Sequence, residues 1–230
     1  MKLLLTSAGI TNPSLRRALV DLLGKPIEEA SALLIPTAIW AKAKVATERT
    51  WVFITGNEPR TPMAELGWQS LGVLELTALP SIGDDRWVPW VTEADVLLVN
   101  GGDALYLAHW MRESGLDALI PSLDSVWVGL SAGSMVMTPR IGQDFVDWKP
   151  PNGSDQALGV VDFSIFPHLD HPALPENTMA DAERWAAGMD VPCYAIDDAT
   201  AIRVVDGQVD VVTEGHWRFF EGPAGDTLDR

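Results

Sequence analysis

The chain has 230 residues and a net charge of −16, with 47% of its residues hydrophobic and 21% charged. That balance excludes a disordered chain and predicts one compact domain over residues 1–230. Acidic residues are scattered from Asp21 to Asp229, so the mean field disfavours nucleic acid and anionic lipid surfaces as partners.

Leu3-Leu4-Leu5, directly after Met1-Lys2, is too short for the core of a signal peptide, and no later run is long enough to span a bilayer; a cytoplasmic protein is expected. The lone cysteine, Cys193, permits no intramolecular disulfide and no thiolate cluster for zinc. It lies in Val191-Pro192-Cys193-Tyr194-Ala195-Ile196, a strand-like run where a thiol packs as a small hydrophobe. The ten tryptophans follow no period and are read as packing residues or pocket walls.

Residues 2–7 read as a strand, and Asn12-Pro13-Ser14 then supplies a turn and N-cap for a helix over residues 16–23, ended at Gly24. A strand at 32–36, a helical stretch at 41–55, strands at 73–76 and 95–100, a helix at 105–113 and a strand at 126–129 follow. Strands with consecutive apolar residues are buried on both faces, so the alternation predicts a doubly wound, mostly parallel α/β sheet. Beyond residue 139 the pattern changes. Pro150-Pro151-Asn152-Gly153 marks an irregular excursion, strand character resumes at 160–166, and residues 203–212 read as a hairpin turning on Asp206-Gly207. An antiparallel addition at the sheet's edge is therefore expected.

The chemistry is sought at Gly129-Leu130-Ser131-Ala132-Gly133, a match to the nucleophile elbow with a strand before it and a helix expected at 134–137. Small neighbours are needed because the serine of such a turn is strained and closely flanked. The turn directs the Ala132 amide toward developing negative charge on a carbonyl. A tight turn with a capping serine is the bland alternative. Asn100-Gly101-Gly102-Asp103 ends the preceding strand and offers glycine amides as a second donor, or else a phosphate-binding or merely tight turn.

A serine needs a base. His109 sits within a helix and His216 near a strand end, whereas Pro167-His168-Leu169-Asp170-His171 follows a strand directly; His168 is the first choice of base and His171 the second. Asp144 and Asp147, between Ser131 and His168, and Asp170 are the candidates for the carboxylate that orients the imidazole.

The elbow Gly129-Leu130-Ser131-Ala132-Gly133-Ser134, with Val99-Asn100-Gly101-Gly102-Asp103 before it and Pro167-His168 after it, resembles the peptidase E (aspartyl dipeptidase) and cyanophycinase family. The fold of that family is like that of class I glutamine amidotransferases, and the likeness runs from the first strand to at least Trp185. The resemblance implies Ser131 as nucleophile, His168 as base, and the amides of Gly102 and Ala132 as oxyanion donors. It puts the acidic member in the loop after the elbow helix, at Asp144. It further implies hydrolysis of dipeptides with N-terminal aspartate, with Arg140 a candidate partner for the acidic side chain, no cofactor, and no metal. Small peptides are the expected partners, and self-association is left open.

Two other classes compete. His168-x-Asp170-His171 has the spacing of half a metal site, which would make a metallohydrolase. A non-catalytic or regulatory amidotransferase-like domain, with Ser131 where a glutaminase has cysteine, is the other.

Overall fold

The computed structural model describes residues 1–42, 44–57 and 62–222. Its centre is a seven-stranded sheet. The first strands and helices are β1 (Lys2–Thr6), α1 (Pro13–Leu23), β2 (Ser31–Ile35), α2 (Ala46–Thr55), β3 (Ser70–Val73), α3 (Asp84–Glu93) and β4 (Val96–Val99). They are followed by α4 (Ala104–Ser114), α5 (Leu116–Leu119), β5 (Val126–Leu130) and the single-turn helix α6 (Ala132–Met135). The remainder comprises β6 (Ser164–Phe166), α7 (Met179–Ala187), β7 (Cys193–Ile196), β8 (Thr200–Val205), β9 (Gln208–Thr213) and β10 (Trp217–Phe220).

The sheet runs β3-β2-β4-β5-β1-β8-β9. Its first five members are parallel, and β8 and β9 add antiparallel. The central strands divide their side chains between two cores, as a sheet covered on both faces must. Leu3, Leu5, Leu97, Val99 and Trp127 pack with α3 and α4, whereas Leu4, Val96, Leu98, Val126 and Val128 pack with α1 and α2. Asn12 caps α1 by accepting from the Leu15 amide, and Gly24 closes it in the left-handed region.

The hairpin at the sheet's edge turns on Asp206 (φ 48°) and Gly207 (φ 81°), with Val205 opposite Gln208. Two successive left-handed residues match the twist of the strands they join. Other boundaries move. The expected strand at 73–76 lies at Ser70–Val73, and Leu76–Ser81 is instead a 3₁₀ turn started by Glu75, whose carboxylate accepts from the Thr77 amide. The helical stretch expected at 41–55 divides into a 3₁₀ turn at Thr37–Ala41 and α2, with residue 43 outside the described residues. The helix expected at 134–137 begins two residues earlier.

A second sheet, in the order β10-β7-β6, shares no ladder with the first but packs Ile165 and Ile196 into the same core, with β6 parallel and β10 antiparallel to β7. Of the strand expected at 160–166, only Ser164–Phe166 pairs. This small sheet packs on α7 around Phe166, Trp185, Met189 and Cys193. Among the described residues no helix is long and apolar enough to cross a membrane.

Candidate active site

β5 is buried along its whole length and delivers Ser131 to the carboxyl edge of the large sheet. There the backbone turns through φ 50° and ψ −107° before α6 begins. For a residue with a side chain, such a conformation costs about 1–3 kcal/mol. A capping role would offset that cost, but the Ser131 side chain caps nothing, and its half-buried hydroxyl has no hydrogen-bond partner among the described residues. The two flanking glycines are steric requirements. A Cβ on Gly129 would lie 2.4 Å from the Gly133 carbonyl oxygen, and one on Gly133 would lie 2.4 Å from that of Val99. The serine is therefore held where β4, β5 and α6 touch.

Thr6, the last residue of β1, fixes the other side of the turn. Its carbonyl accepts from the Ser131 amide at 3.0 Å and from the Ser134 hydroxyl at 2.8 Å. Its hydroxyl donates to the Gly129 carbonyl at 2.7 Å.

The turn after β4 stands beside the serine. A Cβ on Gly101 would come within 3.5 Å of the Ser131 Cβ, and Gly102, at φ 143°, presses against the backbone of Ala38 and Ile39. Among the described residues neither the Gly102 amide nor the Ala132 amide has an acceptor. Asp103 stabilises this turn from beneath. Its amide donates to the Ala38 carbonyl, and its carboxylate accepts from the amides of Tyr106 and Trp148. Burial pushes the Asp103 carboxyl above the usual range despite those bonds.

His168 follows β6 and adopts φ 57°. Its amide donates to the Ser7 hydroxyl at 3.0 Å, and that hydroxyl donates to the Ile196 carbonyl at 3.0 Å. Ser7 follows Thr6, so neighbouring residues at the end of β1 hold the backbones of Ser131 and His168. The imidazole Nδ1 lies 2.7 Å from Oδ1 of Asp198, just beyond β7. The Asp198 carbonyl in turn accepts from the Thr11 hydroxyl at 2.7 Å. With Nδ1 committed to a carboxylate, the proton of the neutral ring resides there and Nε2 is left as the acceptor.

This arrangement can be set beside known proteins. The model of peptidase family S51 matches residues 3–212. The chain belongs to peptidase family S51. Among curated relatives, a peptidase E of Citrobacter koseri is 35% identical over 114 residues, 46% of this chain and 46% of its own length. An uncharacterized peptidase of Listeria monocytogenes, Lmo0363, is 27% identical over 115 residues, 47% of this chain and 55% of its own length. Each alignment thus spans about half of the curated relative. Similar solved folds include a Listeria monocytogenes EGD-e protein assigned to peptidase E (TM-score 0.64, 20% identity, 93% of this chain and 98% of that one). A peptidase from an acI-B1 actinobacterium superposes with TM-score 0.69 at 19% identity, covering 97% of this chain and 91% of the other.

Other expected site residues of the S51 chain stand elsewhere. Asp144 is exposed on a 3₁₀ turn at Gln143–Phe145 with no contact to either histidine of the loop, and Asp147 is paired with Lys42. The carboxylate on His168 is Asp198. The loop after α6 is fixed by the Ile141 amide, which donates to the Asp155 carbonyl, and by Phe145, which packs edge-on against Phe166, and Asp144 between them is exposed. Arg140 is likewise taken up, with Nε on the buried Asp155 at 3.1 Å and a terminal nitrogen on Asp190 at 3.0 Å. Its hydrogen bonds to those two carboxylates, Asp155 first, hold its guanidinium still more firmly protonated. Arg140 thus ties the loop around 140 to two other segments and is not a free cation for a substrate.

The metal half-site is divided. His168 and His171 face Asp198, whereas Asp170, at φ 54°, turns the other way to His216 at 3.0 Å. Among the described residues no group of three or more His, Cys, Asp or Glu stands where it could hold a metal ion. His109 packs edge-on against Trp110 and tilted against Trp148. Burial pushes the Cys193 thiol up to about 12, which keeps it a neutral packing group.

Proposed function

We propose that this S51 chain is a serine peptidase acting on small peptides through an acyl-enzyme on Ser131. The carrying observation is the 2.7 Å contact of His168 Nδ1 with Asp198, in a loop whose backbone hangs on the same strand end as the Ser131 turn. In this reading Ser131 Oγ attacks the scissile carbonyl as His168 Nε2 takes its proton. Asp198 keeps the ring in the tautomer that accepts at Nε2 and offsets the charge of the imidazolium. The amides of Gly102 and Ala132, free of other acceptors among the described residues, receive the oxyanion. His168 then hands its proton to the leaving amine, and water, activated by the same ring, releases the acyl group.

As first substrates we propose dipeptides with N-terminal aspartate, on the strength of the peptidase E resemblance and of the Citrobacter relative that carries that name. Arg140 does not support that preference, because Asp155 and Asp190 already occupy it.

A panel of Asp-X, Glu-X, isoaspartyl and neutral dipeptides, run on wild type and on Ser131→Ala, tests both layers. Wild type is expected to cleave Asp-X fastest, and the alanine variant to lose at least about 10³-fold in kcat. Equal rates for wild type and Ser131→Ala would overturn the mechanism. Equal rates for Asp-X and neutral peptides would overturn only the preference.

A further inference from the structure

The loop that carries His168 also carries a second histidine against the same carboxylate. His171 Nε2 lies 3.5 Å from Oδ2 of Asp198, while His168 occupies Oδ1, and the two rings meet edge to face with centroids 6.1 Å apart. The tautomer of His171 is fixed by its own loop. The Ala173 amide donates to His171 Nδ1 at 3.1 Å, so in the neutral ring the proton sits on Nε2, the atom facing Asp198.

The backbone turns each side chain to its place. His168 and Asp170 are both left-handed, at φ 57° and 54°, and the His171 amide closes the turn on the His168 carbonyl at 3.2 Å. Two such residues in one short turn are costly, and the result is that both histidines point one way and Asp170 the other. The remaining carboxylates nearby do not compete for His171. Asp170 and Asp197 both lie 3.0 Å from ring nitrogens of His216.

We propose that His171 is a positioning residue that acts through Asp198. Its Nε2–H steadies Oδ2, so that Oδ1 stays in the plane and at the distance His168 requires. The present separation is long for a hydrogen bond, and contacts of this kind tighten when a charged intermediate forms. The inference rests on the Ser131–His168–Asp198 reading. It differs from a role as alternative base, because His171 has one nitrogen held by the Ala173 amide and the other turned to a carboxylate.

The test uses a fluorophosphonate probe, whose rate of attachment to Ser131 needs no knowledge of the substrate. Labelling is followed as a function of pH for wild type, His171→Ala and His171→Gln. Glutamine can place an N–H where His171 Nε2 stands.

His171→Ala is expected to label about three- to tenfold more slowly, the equivalent of one modest hydrogen bond. Its acid limb should move to higher pH, because an Asp198 without its second donor holds the His168 proton more strongly. His171→Gln should recover most of the rate and the wild-type limb. Wild-type rate and limb in His171→Ala would overturn the proposal and leave the triad standing, as would a glutamine variant no better than alanine. If His171→Ala does not fold, a glutamine variant that folds but labels at less than a tenth of the wild-type rate overturns it as well. No labelling of wild type at Ser131, where a control serine hydrolase is labelled, would remove the triad and the proposal together.

Discussion

Asp198 makes the shortest contact of any group around His168, and it is where the chemistry of single residues can be tested most sharply. Asp198→Asn leaves a side chain of the same shape but can present an amide N–H to Nδ1, which favours the wrong tautomer. We expect kcat to fall by about 10²–10⁴-fold, with KM changed far less. Asp144→Asn, on an exposed turn without partners among the described residues, should stay within about twofold of wild type in the same dipeptide assay. The strained turn at Ser131 was legible in the sequence because its glycine neighbours are a steric necessity at closely spaced positions. Asp198 was not, since nothing local marks it. It is one acidic residue among many, and the only hint was its place two residues past the strand-like run ending at Ile196, the counterpart of His168 two residues past Phe166.

Elements assemble these residues, and the elbow is the least tolerant of them. Gly133→Ala would put a methyl group 2.4 Å from the Val99 carbonyl, a contact with backbone that no side-chain rotation relieves. Overpacking of this kind costs about 1–3 kcal/mol. Thermal unfolding should register that loss as a lower Tm, and fluorophosphonate labelling should be slower even at temperatures where the variant is folded. Of the parallel strands, β1, β2, β4 and β5 were legible because each carries a run of consecutive apolar residues, and the hairpin because Asp206-Gly207 supplies the two left-handed residues it needs. The small sheet was not read in advance. Its strands are three or four residues long, lie far apart along the chain, and depend on partners that no periodicity identifies. β3 was displaced for a related reason. Leu74 and Leu76 are buried because they pack beneath the sheet's edge, and burial alone looks like a strand from the sequence.

At the scale of the whole molecule, a net charge of −16 makes self-repulsion a standing cost of the folded state. Raising NaCl from about 10 mM to about 0.5 M at neutral pH shortens the screening length severalfold, and Tm measured by calorimetry should rise. Acid acts on particular groups as well. A hydrogen bond from Arg140 holds the Asp190 carboxyl below its usual range. For Asp95 the largest influence, burial, is upward, but hydrogen bonds from Lys25 and Ser31 outweigh it and hold that carboxyl low. The stabilisation from these two is complete above the unfolded carboxylate value of about 4 and is lost as pH falls through their lower folded values. Asp103 has the opposite sign. Burial raises its carboxyl, so the stability it contributes is present below about pH 4 and declines as pH rises through its folded value. Stability followed downward from pH 7 should therefore hold until below about pH 4 and then drop, and Asp190→Asn should flatten part of that drop.

The placing of Thr6 and Ser7 at one strand end bears on the order in which the Ser131 turn and the His168 loop can assemble. The Ser131 turn follows a strand of the large sheet and the His168 loop a strand of the small one, and the contact of His168 with Asp198 needs the chain through residue 198. On the proposed mechanism, a fragment that ends before residue 198 is therefore expected to lack the fluorophosphonate reactivity of the whole chain.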